Sequence, residues 1–588
     1  MRTDSGSGRS YDNRSAFSDE RARGLDLGPF QFIARHWKSL TATFAVLLCL
    51  TVVLTWPMAL YMTAVPDEGD PLLNTWALSW VAHQLLIAPA HLVHANIFYP
   101  ERYTLLFSES LILPAVMFAP LQWAGVHPVV VYNLVMASGM IFSGMGVALL
   151  LLELTGDGVA ALIAGIAFAF LPFRMEHYSH MQLQQSQWIP MVLWALHRTI
   201  RRGRVADAVL VGVFAACQLL SCVYFGVMLI PFVTVVAIVI VFARFRLSTA
   251  GGDLAISVPR SFAVGLIRSS VCAVVVFGAI AAPLGSAYVR ASGIVGERSE
   301  AEAIAGSAAA SDYLAAPLTN RMYGQLTSGF GRTELRLFPG ISIVVLAAIG
   351  LVRRRSASTV AYVLALLVAL DMSFGLHGMT YRLLWNNIGA FRGLRVPARV
   401  GIFVGLALSV LAGYGVAALR SGTSRSWMRR MVPAIAAALL VLEDSSQPTP
   451  HTTMPGFMPP VYAAILKDLA DAPTTAIADL PIAAAMPDYM YYSLFHWQNL
   501  LSGYSGFFPP SFVDLTRSLE GFPDEMAMDA LRRRHALYVV IHGEVYTADQ
   551  YAALVAKAEA SPDLQLVSRG AWQRGEMSAY RILPDKTQ

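Results

Sequence analysis

The feature that most constrains this chain is a series of long apolar runs joined by short polar loops. A helix needs about 20 predominantly apolar residues to cross a bilayer. Runs of that kind lie at 40–63, 128–152, 156–172, 184–199, 205–222, 224–243, 267–288, 338–352, 358–374, 397–419 and 429–443. They predict eleven transmembrane helices. Of the 588 residues, 56% are hydrophobic and 14% charged, whereas a soluble domain is about 25% charged. A freely soluble enzyme, a disordered chain, a coiled coil and a nucleic-acid binder all fit this composition badly. The four cysteines, Cys49, Cys217, Cys222 and Cys272, lie within or at the edges of apolar runs with no zinc or redox spacing, so they read as core filler.

Charge fixes the expected orientation. The run 111–126 has two prolines, Pro114 and Pro120, and is short for a span. If it does not span, the N-terminal segment and the loops at 198–204, 244–268, 353–355 and 420–430 face one side. Together they carry 22 Lys and Arg, against 11 in the opposite loops. The positive-inside rule then makes that side cytoplasmic, with 111–126 re-entrant or interfacial. Residues 1–37 are polar, lack the apolar core of a signal peptide, and read as a disordered cytoplasmic tail. The transmembrane body is 38–444. Its outside loops include 64–127, with interfacial helices, and 289–337, a lid-like loop of mostly solvated charges. Residues 445–588 alternate strand-like runs (474–482, 536–543, 564–572) with helical patterns (525–535, 547–559). That alternation predicts a small α/β extracytoplasmic domain, accessory in character.

Chemistry is expected where charge collects outside. The first loop holds Asp67, Glu68 and Asp70 immediately before a helical pattern at 72–88 with Trp76 and Trp80 on one face. A carboxylate there suits a general base or a cation ligand. The competing reading is that Asp70 caps the helix, with Pro71 in its first turn. Glu109 lies at the membrane edge, where a carboxylate is costly unless paired. It is a candidate ligand for metal or hydroxyl, or a helix cap. The second loop gathers Arg174, His177 and His180 within seven residues, types that suit phosphate, metal or proton transfer. Arg392, Arg395 and Arg399 oppose the positive-inside bias at an outside boundary. They suit a lipid-linked phosphate or, equally, anionic head groups.

The stretches GDPLLNTWALSW, NIFYPERYTLLFSES, LPFRMEHYSHMQLQQSQWIP, SDYLAAPLTN, LFPG and FRGLRVPAR resemble pieces of the GT-C superfamily of integral-membrane glycosyltransferases. The likeness is to bacterial mannosyltransferase-like and YfhO-like proteins, over most of 40–445. The resemblance implies a GT-C-like polytopic α-helical fold in a bacterial inner membrane, N-terminus cytoplasmic and C-terminus periplasmic. It implies a polyprenyl-phosphate-linked sugar as donor and an extracytoplasmic glycan, lipid or protein as acceptor. Asp70 matches the first-loop catalytic carboxylate, with Asp67 the neighbouring alternative. Arg174, Arg392, Arg395 and Arg399 would bind the donor phosphate, and Glu109, His177 and His180 acceptor, donor or metal. The DxD pair of metal-dependent relatives is absent from the second loop, which leaves use of a divalent cation, Mg or Mn, open. Two other readings compete: a lipid or polysaccharide transporter, disfavoured because charges sit at span ends and no internal repeat is visible, and a non-catalytic envelope assembly protein.

Overall fold

The computed structural model describes residues 27–244, 246–250, 253–257, 260–469, 475–573 and 575–584. Most of the expected disordered tail, 1–26, lies outside them. The rest of that tail departs from expectation. Pro29–Arg35 is helical, with Phe32 buried. Arg198 holds the segment in place: its guanidinium lies 5.4 Å from the Phe32 ring and donates to the Leu27 carbonyl.

A helix lies at each of the eleven apolar runs. Among the described residues, six stretches are long and apolar enough to cross a membrane: Trp37–Leu54, Pro128–Thr155, Gly158–Glu176, Val223–Phe242, Phe262–Val295 and Pro397–Ser421. This is a multi-pass membrane protein. The debated run forms the helix Ile112–Trp123. Its 12 residues extend only about 18 Å at 1.5 Å per residue, well under the roughly 30 Å of a hydrocarbon core.

Small residues and caps set the packing. Gly156, at φ +71°, ends the helix Pro128–Thr155. Asp157 then caps Gly158–Ala169 by accepting from the Val159 and Ala160 amides, so the two helices form a tight hairpin. A Cβ on Gly415 would lie 2.1 Å from the Leu346 carbonyl oxygen. Glycine therefore lets the helices Ile341–Arg353 and Gly401–Ser421 touch backbone to backbone, the usual device where lipid supplies no hydrophobic drive between helices.

The tail folds around a five-stranded mixed sheet in the order 499–500, 476–480, 536–542, 575–582, 564–572. The first three strands are parallel, and the last two close an antiparallel hairpin on 536–542. The helices Glu525–Arg533 and Ala548–Ala560 fall where expected. Strand Gly575–Ile582 was not anticipated. Its polar sequence hides a run of buried residues from Met577 to Tyr580.

The tail is joined to the membrane body rather than appended to it. Ala64–Val65 pairs antiparallel with Thr452–Thr453. One apolar core contains Trp76, Trp80 and Val135 together with Ile477, Tyr489 and Val539. The expectation that Asp70–Ile87 lies at the membrane interface is therefore corrected: Pro71 through Ala82 are all buried within protein. The tail covers the tryptophan face that would otherwise seek the interface.

Candidate functional site around Asp70

Asp67 shapes the approach to the site. Its Oδ1 accepts from the Gly69 amide at 2.9 Å, turning the chain into the helix Asp70–Ile87, while its own side chain stays exposed. Gly69 occupies the cap position, Asp70 is the first helical residue, and no side chain caps this helix. The capping alternative for Asp70 therefore fails.

Both Asp70 oxygens face other side chains. Oδ2 lies 3.3 Å from His180 Nε2, and Oδ1 accepts from the Tyr504 hydroxyl at 3.1 Å. His180 also stands 4.0 Å from Glu334 Oε1. Burial, and next the charge of Arg399, hold the imidazole below its ordinary range. His180 is thus a close neighbour of the carboxylate rather than a hydrogen-bond donor to it. His177 packs edge-on against His180, with ring centroids 5.5 Å apart. It is fully buried, and neither ring nitrogen has a described hydrogen-bond partner.

The four expected arginines part company. Arg399 is buried, stacks 4.8 Å over the Tyr224 ring and reaches Glu334 Oε2 at 3.8 Å. The Arg395 amide donates to the Tyr224 hydroxyl at 2.8 Å, and its exposed side chain acts electrostatically on both His180 and Tyr504. Asp70, His180, Glu334, Arg399, Tyr224 and Arg395 thus form one continuous patch. Arg392 belongs to the outer loop, where it pairs with Glu297 Oε2 at 2.8 Å. Arg174 is wholly buried. It donates to the Phe168 and Gln184 carbonyls at 3.0 and 3.1 Å and to Ser186 Oγ at 2.7 Å. Assigning Arg174 to a phosphate is therefore corrected: its donors are consumed in fastening the end of the helix Gly158–Ala169.

Glu109 is a helix cap. Its carboxylate accepts from the Val223 and Tyr224 amides at 2.6 and 3.0 Å, at the N-terminus of Val223–Phe242, where the macrodipole favours an anion. Burial nonetheless raises its pKa, and the backbone hydrogen bonds oppose the rise. Glu109 thereby positions Tyr224 beneath Arg399.

Three site residues escaped the sequence reading. Glu334 looked like one solvated charge of the long loop. It sits at φ +65°, a strained conformation for a side chain other than glycine, with its amide held by Glu176 Oε1 at 2.9 Å. The same loop holds other satisfied charges: Asp312 is buried against Arg332 at 2.8 Å, and Arg336 lies 3.4 Å from Glu176. Tyr224 carried no signal beyond its place at a span end. Tyr504 comes from the tail, 434 positions from Asp70. Among the described residues no group of three His, Cys, Asp or Glu side chains is placed to hold a metal ion. Use of Mg or Mn, left open by the sequence, has no assembled ligand set among these residues.

No protein-family profile matches the chain, and no curated protein sequence matches it. Solved structures do. The mycobacterial arabinofuranosyltransferase AftD superposes with a TM-score of 0.57 at 16% identity, over 94% of this chain and 42% of that one. The chain has the GT-C fold. It spans less than half the length of AftD, and at this identity the likeness is one of fold. Two further GT-C proteins match at lower scores. AglB, an oligosaccharyltransferase from Archaeoglobus fulgidus solved with an inhibitory peptide and a dolichol-phosphate, gives 0.43 at 14% identity, over 90% of this chain and 72% of that one. ArnT from Cupriavidus metallidurans gives 0.47 at 12%, over 92% and 98%. Within this fold, the patch around Asp70 is built from the loops 64–127, 173–183 and 289–337, the entry to Pro397–Ser421, and the tail.

Proposed function

We propose that the protein is a glycosyltransferase of the cytoplasmic membrane that moves a sugar from a polyprenyl-phosphate donor to an extracytoplasmic glycan, lipid or protein. In this reading all eleven apolar helices span, the N-terminus is cytoplasmic, and the site and tail face outward. The observation that carries it is the Asp70 carboxylate, free of any capping role, flanked by His180 and Tyr504 and linked through Glu334 to Arg399. The fold shared with an arabinofuranosyltransferase supports the reaction class.

The chemistry follows from the charges. An acceptor hydroxyl donates to Asp70. Its oxygen attacks the anomeric carbon as the proton passes to the carboxylate. The bond from that carbon to the phosphate oxygen breaks on the opposite face, inverting the centre, and the electron pair leaves with the polyprenyl phosphate. Arg395 and Arg399 stabilise that phosphate as charge develops on it. A lipid phosphate is a good leaving group, so orientation and electrostatics suffice.

The test incubates purified protein with radiolabelled polyprenyl-phosphate sugars and membrane extract. Asp70→Asn keeps the shape and loses the base, so transfer is expected to fall at least about a thousandfold, within the range for groups that act as a catalytic unit, with expression unchanged. An Asp70→Asn protein that transfers sugar at the wild-type rate refutes the assignment.

A further inference from the structure

The stretch Ser502-Gly503-Tyr504-Ser505-Gly506 in the tail has no role in the sheet or its helices, yet it is closely held. On one side of Tyr504, the Leu500 amide donates to the Asn96 carbonyl at 2.7 Å. The Tyr99 and Phe98 amides donate to the Leu500 and Ser502 carbonyls at 3.0 and 3.1 Å. On the other side, the Phe507 amide donates to the Phe107 carbonyl at 3.0 Å. Arg298 donates to the Gly506 carbonyl and lies 3.6 Å over the Phe507 ring. The tail therefore lays a strap along the first outside loop, pinned at both ends, with Tyr504 between the pins. Glycine permits the approach: a Cβ on Gly503 would fall 2.9 Å from the Phe98 ring, and one on Gly506 3.0 Å from the Phe107 carbonyl oxygen. The Tyr504 amide is itself held by Met490 Sδ at 3.1 Å.

We propose that Tyr504 is a positioning residue for Asp70, and that the tail is thereby a working part of the transfer site. This rests on Asp70 being the general base. Burial, with the charge of Asp70, pushes the Tyr504 hydroxyl up to about 12, so it remains a donor throughout the working range. A carboxylate offers about four lone-pair positions. Tyr504 takes one on Oδ1, while His180 lies 3.3 Å from Oδ2, which restrains the carboxylate and leaves positions for an acceptor hydroxyl.

Tyr504→Phe removes one hydroxyl and keeps the ring. It is expected to lower kcat about tenfold, as loss of a charge-assisted hydrogen bond does, while donor KM stays unchanged. The readout is the split between kcat and KM: Gly503→Val, which displaces the strap without touching the hydroxyl, is expected to lower kcat likewise with donor KM unchanged. A merely structural tyrosine lowers the melting temperature while the folded protein keeps its kcat. Unchanged kcat in Tyr504→Phe overturns the proposal while leaving Asp70 as base. A thermal-melt cycle over Asp70→Asn, Tyr504→Phe and the double variant reads the contact without activity. Non-additive shifts support the coupling of Tyr504 to Asp70 even if no donor is turned over and the general-base reading falls, and additive shifts overturn the proposal.

Discussion

Replacing Arg399 by leucine removes the one buried guanidinium of the patch around Asp70. Arg399 is 7% exposed, 3.8 Å from Glu334 and stacked on Tyr224. A phosphate oxygen held about 4 Å from this charge gains roughly 4 kcal/mol at an effective dielectric near 20. Solvent around Glu334 and the neighbouring Arg395 share the load, so about half of that, roughly 2 kcal/mol, is the expected net loss, or about thirtyfold in donor affinity. Arg399→Leu should raise donor KM by that factor at saturating acceptor. Arg392→Leu breaks an exposed pair with Glu297, worth about 0–1 kcal/mol, and should leave donor KM within about threefold. Arg174→Leu strands the Phe168 and Gln184 carbonyls in the interior. It should show as loss of monodisperse, folded protein rather than as a donor phenotype. The assay is initial-rate transfer over a series of polyprenyl-phosphate sugar concentrations, beside a thermal melt of each variant. Arg399→Leu with a donor KM near wild type, or Arg392→Leu matching it, refutes the division of the arginines.

Two further predictions concern groups away from the reacting carbon. Glu109→Gln removes the anion at the N-terminus of Val223–Phe242 and should cost about 1–2 kcal/mol of stability, with donor KM raised because Tyr224 loses its anchor; an unchanged melt with turnover abolished would instead make Glu109 a substrate ligand. His542 is buried between Asp479 Oδ1 at 2.9 Å and Glu544 Oε1 at 3.1 Å; burial alone would depress the imidazole, but the two carboxylates raise it to about 9. A folded pKa above the unfolded one stabilises fully below about 6.5, and the contribution disappears as pH rises through about 9. Thermal melts of the intact protein should therefore fall across that window, and His542→Gln should flatten the fall. Asp488, pushed up to about 7 by burial and next by Glu68, titrates lower. A variant that keeps the wild-type slope above pH 7.5 refutes the role of His542.

The local parts of this architecture were legible because their physics is local. A run of apolar residues becomes a helix in lipid wherever it lies, since its backbone must bond within itself. The helices at 128–155, 223–242 and 401–421 follow from that alone. Asp70 was legible as well, through three carboxylates at a span end. What failed were the judgements on Arg174, Trp76 and Trp80, which depended on neighbours distant in sequence. Arg174 and Arg399 both read as outside arginines. Only the folded second loop shows that Phe168, Gln184 and Ser186 consume the first and that Tyr224 and Glu334 present the second. Trp76 and Trp80 read as interfacial because the sheet that covers them begins some 400 residues later.

By itself, then, the sequence determined a multi-pass membrane protein with an acidic loop after its first apolar run and an α/β tail, because hydrophobic length and strand patterning act over a few turns of chain. The tertiary structure decided which charges are tied up in scaffold and which gather around Asp70, and that the tail reaches this patch at all. Burial and partner geometry make that difference, and both arise only when segments such as 67–70, 180, 334, 395–399 and 504 are brought to one place.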